Sequence, residues 1–211
     1  MAAKRILIAD DHFAIRIGIK HLLKNEFASV EFGEATNAQE VFEKIKSGPW
    51  DVMILDINMP GGNGFEVLKQ LRDEKQVIPV LVFSMHREEI VALRALKAGA
   101  SGYLSKDAAD TELAKAIHQL LAGRKYISHS VAELMVSQLD NPENRPSHEL
   151  LSDREYQTLL LIASGRTVSQ IADELSLGIS TISTYRVRIL EKMGFKNNAE
   201  LTHYAIEHRL I

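Results

Sequence analysis

Residues 52–60 read VMILDINMP, and this stretch decides the fold. Its four apolar residues are followed at once by Asp56, without the polar–apolar alternation that is typical of a half-exposed strand. Runs of this kind suit strands that are buried on both faces, as in a parallel sheet. Residues 6–11, ILIADD, repeat the pattern and end in Asp10 and Asp11. We therefore predict a parallel sheet whose strands end in carboxylates.

Further strands and helices extend this pattern along the first part of the chain. A further apolar run of this kind occurs at residues 80–83, and weaker strand candidates are residues 30–35 and 102–104. Segments with helical spacing lie between the strands, and in the first of them Phe13, Ile17 and Leu22 or Leu23 are predicted to share one apolar face. Five strands that alternate with five helices predict a doubly wound α/β domain.

The pattern changes after Gly123. A short amphipathic segment, about residues 130–139, is followed by DNPENRPS at 140–147, whose two prolines and polar character are typical of a linker. We therefore predict a first domain over residues 1–123, a linker with a short helix over 124–147, and a second domain over 148–211.

The second domain shows helical spacing throughout. Ser152 and Glu155 form a capping-box pattern at the start of the first helix. Three glycines then divide the segment, namely Gly165, Gly178 and Gly194. The sequence therefore predicts an all-α domain of four helices.

Composition limits the classes of protein to which the chain can belong. The absence of cysteine excludes disulfides and thiolate-bound metals, and no apolar run is long enough for a signal peptide or a membrane span. We therefore expect a cytoplasmic protein. The net charge is −3, and the chain from Arg145 onward carries 8 basic against 8 acidic residues. A DNA-binding surface would therefore depend on local charge placement.

Polar side chains follow four of the predicted strands, namely Asp10 with Asp11, then Asp56, Ser84 and Lys106. The carboxyl ends of parallel strands meet at one edge of the sheet. Carboxylates that converge there stay ionised together only if a cation offsets them, and hard oxygen ligands suit Mg²⁺. A lysine and a hydroxyl group could hold phosphoryl oxygens while an aspartate attacks phosphorus. Each residue alone is more often a helix cap, a turn residue or a solvated lysine, but their joint order favours a functional pocket.

The second domain contains a short helix, a glycine break and a longer helix, which is the spacing of a helix-turn-helix. Ile171 and Ala172 on the first helix and Ile182 on the second allow the helices to cross closely. The longer helix carries three cations that can neutralise DNA phosphates: Arg186, Arg188 and Lys192. Taken alone, these cations are more often the charged face of an ordinary bundle helix.

Four spaced motifs, together with Gly64, resemble the receiver domain of response regulators: IADDH at 8–12, LDINMP at 55–60, FS at 83–84 and GYLSK at 102–106. The resemblance implies a flavodoxin-like fold. It implies that Asp56 accepts a phosphoryl group from a sensor histidine kinase, and that Asp11, Asp56 and the backbone carbonyl of Asn58 ligate Mg²⁺, or Mn²⁺ in its place. Asp10 would act through a metal-bound water. Lys106 would form an ion pair with the phosphoryl group, Ser84 would hydrogen-bond to it, and Tyr103 would change rotamer in response. Asn58 and His86 lie at positions that tune the rate of dephosphorylation in the family.

The second domain resembles the LuxR-type helix-turn-helix, through LSDRE at 151–155, IASG at 162–165, QIA at 170–172, STISTY at 180–185 and ILEKMG at 189–194. The whole chain therefore resembles a NarL/FixJ-type response regulator. By this match Ser183, Thr184 and Val187 face bases, whereas Arg186, Arg188 and Lys192 meet phosphates. Arg188 could also reach a base. Many relatives have lysine where this chain has Ser183.

The resemblance also implies the partners and the activity. Phosphorylation would favour a homodimer that binds double-stranded promoter DNA and regulates transcription, with RNA polymerase as a further partner. No enzymatic activity is expected beyond Mg²⁺-dependent self-phosphorylation from small phosphodonors and slow autodephosphorylation.

Three alternatives come from other classes. A metal-dependent phosphatase could use the same pocket, although such enzymes usually place a second carboxylate where this chain has Asn58. A DNA-binding protein could carry a degenerate receiver that works without phosphorylation. A protein-interaction module whose second domain touches no DNA is favoured only by the neutral charge of that domain.

Overall fold

The structure is a computed structural model of the 211-residue chain. It describes residues 3–60, 62–85, 88–140, 147–208 and 210–211. The chain divides into two compact units, Met1–Val136 and Ser137–Ile211. Within the described ranges, no helix has both the length and the apolar character that crossing a bilayer requires.

The first unit is built on a five-stranded parallel sheet in the order β2-β1-β3-β6-β7. The strands are β1 (Lys4–Ala9), β2 (Val30–Ala35), β3 (Val52–Leu55), β4 (Asn58–Met59), β5 (Gly62–Asn63), β6 (Val80–Ser84) and β7 (Gly102–Ser105). The five predicted strands are confirmed. The short antiparallel hairpin β4–β5 was not predicted, since two-residue strands have no readable period. Strand order reverses between β1 and β3, which leaves a crevice at their carboxyl ends.

Helices cover both faces of this sheet. They are α1 (Phe13–Glu26), α2 (Ala38–Lys46), α3 (Gly64–Asp73), α4 (Glu88–Ala98) and α5 (Ala109–Leu121), followed by α6 (His129–Asp140), and a 3₁₀-helix spans Lys106–Ala108. Helix α1 packs against α5, whereas α3 packs against both α2 and α4. The doubly wound fold is therefore confirmed.

The central strands are buried on both faces, as the apolar runs predicted. Every residue of β3 and of β6 is buried, and so are the last four residues of β1. The edge strand β2 instead buries only Gly33 and Ala35, and its other residues are partly or fully exposed. This difference explains why β2 gave a weaker signal in the sequence than the central strands.

The apolar face predicted for α1 is confirmed at Leu23 and wrong at its N-terminal end. Phe13 and Ile17 are 66% and 44% exposed, and the buried stripe consists of Arg16, Ile19 and Leu23. The predicted face did not include Arg16, which is charged. Its guanidinium has buried partners in the tertiary structure, described below, so this arginine can occupy a core position.

Residues after Gly123 continue to pack on the first unit. Tyr126 is 4% exposed, forms a parallel bridge with Gly102, and donates its hydroxyl to Glu112 over 2.7 Å. Val131 on α6 is also buried. The predicted linker over residues 124–147 remains a prediction, since residues 141–146 lie outside the described part of the chain.

The second unit consists of helices around a small apolar core, which confirms the predicted helical domain. After a 3₁₀-helix at Ser147–Leu150, its helices are α7 (Asp153–Ala163), α8 (Val168–Glu174), α9 (Ile179–Met193) and α10 (Asn198–Glu207). Capping boxes open α7 and α8, the first of them the predicted Ser152–Glu155 pair. The core contains fully buried residues from four helices: Leu159, Ile171, Ile182, Ile189, Leu201 and Ala205.

The turn between α8 and α9 lies where the glycine break was predicted. Ser176 has a φ of 53° and is the residue in the left-handed region. The amide of Leu177 then donates to the carbonyl of Ala172 over 2.8 Å, which closes the end of α8. Gly178 is extended and is the N-cap residue of α9. Gly178 therefore separates the two helices without itself adopting the left-handed conformation.

Candidate functional site

The carboxyl ends of four strands bring the predicted pocket residues together. Asp10 follows β1, Asp56 follows β3, Ser84 ends β6 and Lys106 follows β7. The amide of Asp56 donates to the carbonyl of Ala9 over 2.8 Å, which extends the pairing of β1 with β3 by one step. Asp10 and Asp56 are 1% and 3% exposed. The register of the sheet thus places two buried carboxylates side by side.

Lys106 connects these two carboxylates. Its Nζ lies 2.7 Å from Oδ2 of Asp10 and 2.7 Å from Oδ2 of Asp56, and its side chain is only 4% exposed. Burial alone lowers the pKa of Lys106, but the charge of Asp56 and the short contacts with both carboxylates outweigh it and raise the pKa above its ordinary value. The buried lysine therefore stays protonated and holds Asp56 in place.

Burial has the opposite consequence for Asp56. It raises the pKa of Asp56, although the charge and hydrogen bond of Lys106 and the hydrogen bond from the amide of Asn58 act to lower it. The neighbouring charge of Asp10 raises it as well. One ammonium group is therefore not enough to offset the carboxylates of this pocket.

Asp11 and His12 form the mouth of the pocket. The side chain of Asp11 is 31% exposed and that of His12 is 65% exposed. Nδ1 of His12 lies 2.9 Å from Oδ1 of Asp11 and 3.3 Å from Oδ1 of Asp10. One ligand atom from each of Asp10, Asp11, His12 and Asp56 falls within a 4.8 Å cluster. No role was predicted for His12, and the only feature of the sequence that could have indicated one is its position directly after the aspartate pair.

The donor set fits a hard divalent cation. Oδ2 of Asp10 and Oδ1 of Asp11 are buried atoms that no donor reaches in hydrogen-bond geometry, although Lys106 and His12 lie within ion-pair distance. Buried carboxylate oxygens normally have a hydrogen-bond partner. Oxygen ligands with an open side toward solvent are what Mg²⁺ prefers in proteins. The residues present therefore fit the predicted metal.

The loop after Asp56 is shaped by a close approach of the backbone. The amide of Asn58 donates to Oδ1 of Asp56 over 3.0 Å, so Asn58 lies directly beside the predicted acceptor. A Cβ atom on Gly64 would come within 2.8 Å of the carbonyl oxygen of Asp56 and of Cα of Ile57. Glycine is therefore required at position 64. The predicted tuning residue His86 lies outside the described residues.

Ser84 and Tyr103 lie behind the pocket. Ser84 is fully buried at the end of β6, opposite Ser105 of β7. Tyr103 is 1% exposed and pairs with Val82 in the register of the same two strands. Both predicted switch residues therefore lie on the strand pair next to Asp56. Their roles in a switch stay predictions.

Arg16 holds the backbone of the pocket through hydrogen bonds, a role that was not predicted from the sequence. Its guanidinium donates to the carbonyl of Asp10 over 2.8 Å and to that of Asp11 over 3.2 Å. Its Nε donates to Glu34 over 2.9 Å, and Lys20 binds the other oxygen of Glu34 at 2.6 Å. The available signal was its spacing with Ile19 and Leu23, which puts a charge on the buried stripe.

The predicted base-facing residues lie on the exposed side of α9. Ser183 and Thr184 are exposed, and Val187 is 48% exposed. The opposite side of the helix contributes Ile182 and Ile189 to the core of the second unit. Helix α9 therefore presents the predicted residues to solvent together.

Two of the predicted phosphate-binding cations have partners within the second unit. Nε of Arg186 donates to Oδ1 of Asn198 over 2.6 Å. Lys192 forms a 2.6 Å ion pair with Glu155, whose side chain is 4% exposed. Arg188 is exposed on α9. The three cations are thus in different situations, which the sequence did not distinguish.

Fold and site together define the class of protein as a parallel α/β domain with an acidic pocket, followed by a helical domain with the spacing of a helix-turn-helix. Comparison with known families agrees with this definition. The family described as "Response regulator receiver domain" matches residues 6–118, and the family "Bacterial regulatory proteins, luxR family" matches residues 149–205.

Similar proteins are found over nearly the full length. The response regulator UvrY of Escherichia coli K12 is 32% identical over 97% of this chain and 94% of its own length. The response regulator GacA of Pseudomonas aeruginosa is 33% identical over 98% of this chain and 97% of its own. The chain belongs to the NarL/FixJ family of two-component response regulators, with a receiver domain and a LuxR-type DNA-binding domain.

Solved structures agree with this assignment. The RcsB response regulator of Salmonella typhimurium matches with a TM-score of 0.73 and 26% identity, over 98% of both chains. RcsB from Salmonella enterica serovar Typhimurium, bound to a promoter in the presence of the phosphomimetic BeF3−, matches with a TM-score of 0.60 and 28% identity, over 96% of this chain and 98% of that one.

Proposed function

We propose that this response regulator is switched by phosphorylation of Asp56 by a sensor histidine kinase. The observation that carries the proposal is the position of Asp56: a buried carboxylate at the switch point of the sheet, 2.7 Å from a buried ammonium group and beside two further aspartates. A carboxylate oxygen of Asp56 would attack phosphorus, and the nitrogen of the phosphohistidine would leave with the electrons of the broken P–N bond and take up a proton.

Asp11, Asp56 and the backbone carbonyl of Asn58 would hold Mg²⁺ or Mn²⁺, and Asp10 would act through a water. The metal, when bound, supplies positive charge that offsets the phosphoryl oxygens. Lys106 would exchange its contact with Asp56 for one with the new phosphoryl group. The same residues would support self-phosphorylation from small phosphodonors and slow autodephosphorylation.

Ser84 and Tyr103 would respond to the change of charge at Asp56. Ser84 would hydrogen-bond to the phosphoryl group, and Tyr103 would change rotamer behind it. A preference of a few kcal/mol between two states is enough for a useful shift of population. The shift would favour a homodimer that binds promoter DNA in the cytoplasm, with RNA polymerase as a further partner.

In the second unit, Ser183, Thr184 and Val187 would face bases and Arg188 would meet phosphate. Arg186 and Lys192 remain proposed phosphate contacts, which they would share with Asn198 and Glu155. The family assignment disfavours the phosphatase and interaction-module alternatives. Asn58 argues further against a phosphatase, because an amide cannot transfer a proton.

Mass spectrometry after incubation with acetyl phosphate and Mg²⁺ tests the proposal. The parent chain should gain one phosphoryl group, and Asp56→Asn should gain none. Asp107→Asn is the matched control, because Asp107 is an exposed aspartate next to Lys106. An Asp56→Asn protein that still takes up phosphate would refute the assignment of the acceptor.

Titration of promoter DNA with and without beryllofluoride and Mg²⁺ tests the coupling. Binding should tighten with beryllofluoride, and sedimentation should show more dimer. Equal affinity in both conditions would instead favour the alternative of a receiver that works without phosphorylation.

A further inference from the structure

The exposed side of α9 carries an unusual set of side chains. Ile179, Ser183 and Val187 follow one another at intervals of four residues, which places them in one row along the helix. Ile179 is 57% exposed and Val187 is 48% exposed. Thr184 lies next to this row and is also exposed. We call these four residues the reading face.

Both hydroxyl groups of the reading face already donate a hydrogen bond within α9. Oγ of Ser183 donates to the carbonyl of Ile179 over 2.9 Å, and Oγ1 of Thr184 donates to the carbonyl of Ser180 over 2.9 Å. A hydroxyl group has a single proton to donate, so in this arrangement neither side chain donates to a base. The oxygen lone pairs can still accept from the amino group of adenine or cytosine, whereas guanine and thymine present only acceptors to these two hydroxyl groups.

The row formed by Ile179, Ser183 and Val187 contains no cation. Two cations of α9 have partners within the second unit, since Arg186 donates to Asn198 and Lys192 pairs with the buried Glu155. Arg188 is exposed and follows Thr184 by four residues, so it flanks the row at about 100° from Val187 around the helix axis. The commonest specific contact in the major groove is an arginine or lysine on guanine. The row itself does not present that group.

The reading face instead presents aliphatic carbon. Side chains of this kind recognise one feature of the major groove, the C5-methyl group of thymine. We propose that the reading face of α9 selects its DNA site through contacts with thymine methyl groups, made chiefly by Val187 and the methyl group of Thr184. This inference rests on the proposed DNA binding by α9 and specifies the chemistry that it reads.

The test replaces thymine by uracil, which removes the methyl group and leaves the pairing edge unchanged. Duplexes that bind the full-length chain, with beryllofluoride and Mg²⁺ present, are selected from a random library. The best duplex is then made with dT or with dU, and fluorescence anisotropy at one fixed salt concentration gives the two dissociation constants. Burial of a methyl group corresponds to about a fourfold change in affinity. We expect the dU duplex to bind at least about fourfold more weakly.

Variants assign the effect to the side chains. Val187→Ala and Thr184→Ser each remove methyl groups, and each should lower the ratio between the dU and dT dissociation constants. Thr184→Val deletes the hydroxyl group and should still prefer thymine. Ile206→Ala is the matched control, because Ile206 is a 60% exposed aliphatic residue on α10, away from the reading face. Its ratio should equal that of the parent.

Each outcome decides between the claims. Equal affinity for the dT and dU duplexes would overturn the methyl readout and leave DNA binding intact. A ratio that persists unchanged in both Val187→Ala and Thr184→Ser would assign the effect to DNA shape and overturn the role of the reading face. If no duplex is enriched in the selection, the proposed DNA binding itself fails, and the inference fails with it.

Discussion

Replacement of Glu155 by glutamine should destabilise the second unit selectively. Glu155 accepts from the amide and the hydroxyl of Ser152 over 2.7 Å and 2.9 Å, and from Lys192 over 2.6 Å. Glutamine can keep the two bonds with Ser152 but loses the ion pair. A hydrogen bond between charged groups contributes about 1.5–3 kcal/mol, but Lys192 is partly exposed, so solvent offsets part of its loss. We expect a loss of about 1–2 kcal/mol, or roughly 5–10 °C in the melting temperature of the unit.

The loss should depend on pH with a defined sign. Burial by itself raises the pKa of Glu155, but the hydrogen bonds with Lys192 and Ser152 outweigh it and lower the pKa below its ordinary value of 4.5. A carboxylate with a lowered folded-state pKa contributes stability that is present above the unfolded-state value and is lost as the pH falls through the folded-state value. The parent and Glu155→Gln should therefore differ near neutral pH and converge in acid.

Urea unfolding of the full-length chain checks this prediction. The single tryptophan, Trp50, lies in the first unit and reports on that unit alone, whereas far-UV circular dichroism follows both units. The matched control is Glu174→Gln, since Glu174 is 48% exposed and lies 3.9 Å from Arg166. An exposed pair of this kind should be worth less than about 1 kcal/mol. The reasoning is refuted if both variants lose equal stability, or if the difference for Glu155→Gln does not change with pH.

Three further predictions concern the pocket. Gly64→Ala should destabilise the first unit by about 1–3 kcal/mol and slow phosphorylation, because the new Cβ must displace the backbone that carries Asp56; an unchanged urea midpoint and rate would contradict this. Arg16→Met should cost about 1.5–3 kcal/mol, since it removes hydrogen bonds to two backbone carbonyls of the pocket and to Glu34. Glu34 keeps its ion pair with Lys20, so no carboxylate is left unpaired. The variant should also weaken Mg²⁺ binding in calorimetry, and lost stability with unchanged Mg²⁺ affinity would reduce Arg16 to a structural role. Lys106→Met should strengthen Mg²⁺ binding measured by calorimetry, because the ammonium group no longer offsets part of the negative charge of the pocket carboxylates. Phosphoryl uptake measured by mass spectrometry should fall. Weaker Mg²⁺ binding would overturn this view of the charge balance.

The sequence by itself determined the fold class and the members of the pocket. Continuous apolar runs predicted the buried strands, because a parallel sheet covered on both faces leaves no solvent side for polar residues. The order of Asp10, Asp56, Ser84 and Lys106 at successive strand ends then predicted their convergence. The helices of the second unit were predicted from helical spacing and from local signals, such as the Ser152–Glu155 cap, which involve only neighbouring residues.

Only the tertiary structure decided which charges are buried and what they bind. Helical spacing assigned Phe13 and Ile17 to the core, whereas Arg16 lies there because carbonyls and a carboxylate from distant positions satisfy its guanidinium. Lys192 forms an ion pair with the buried carboxylate of Glu155, which lies 37 positions away in the chain. Hydrophobic patterns record burial from one residue to the next, but the cost of burying a charge depends on partners that only the folded chain brings together.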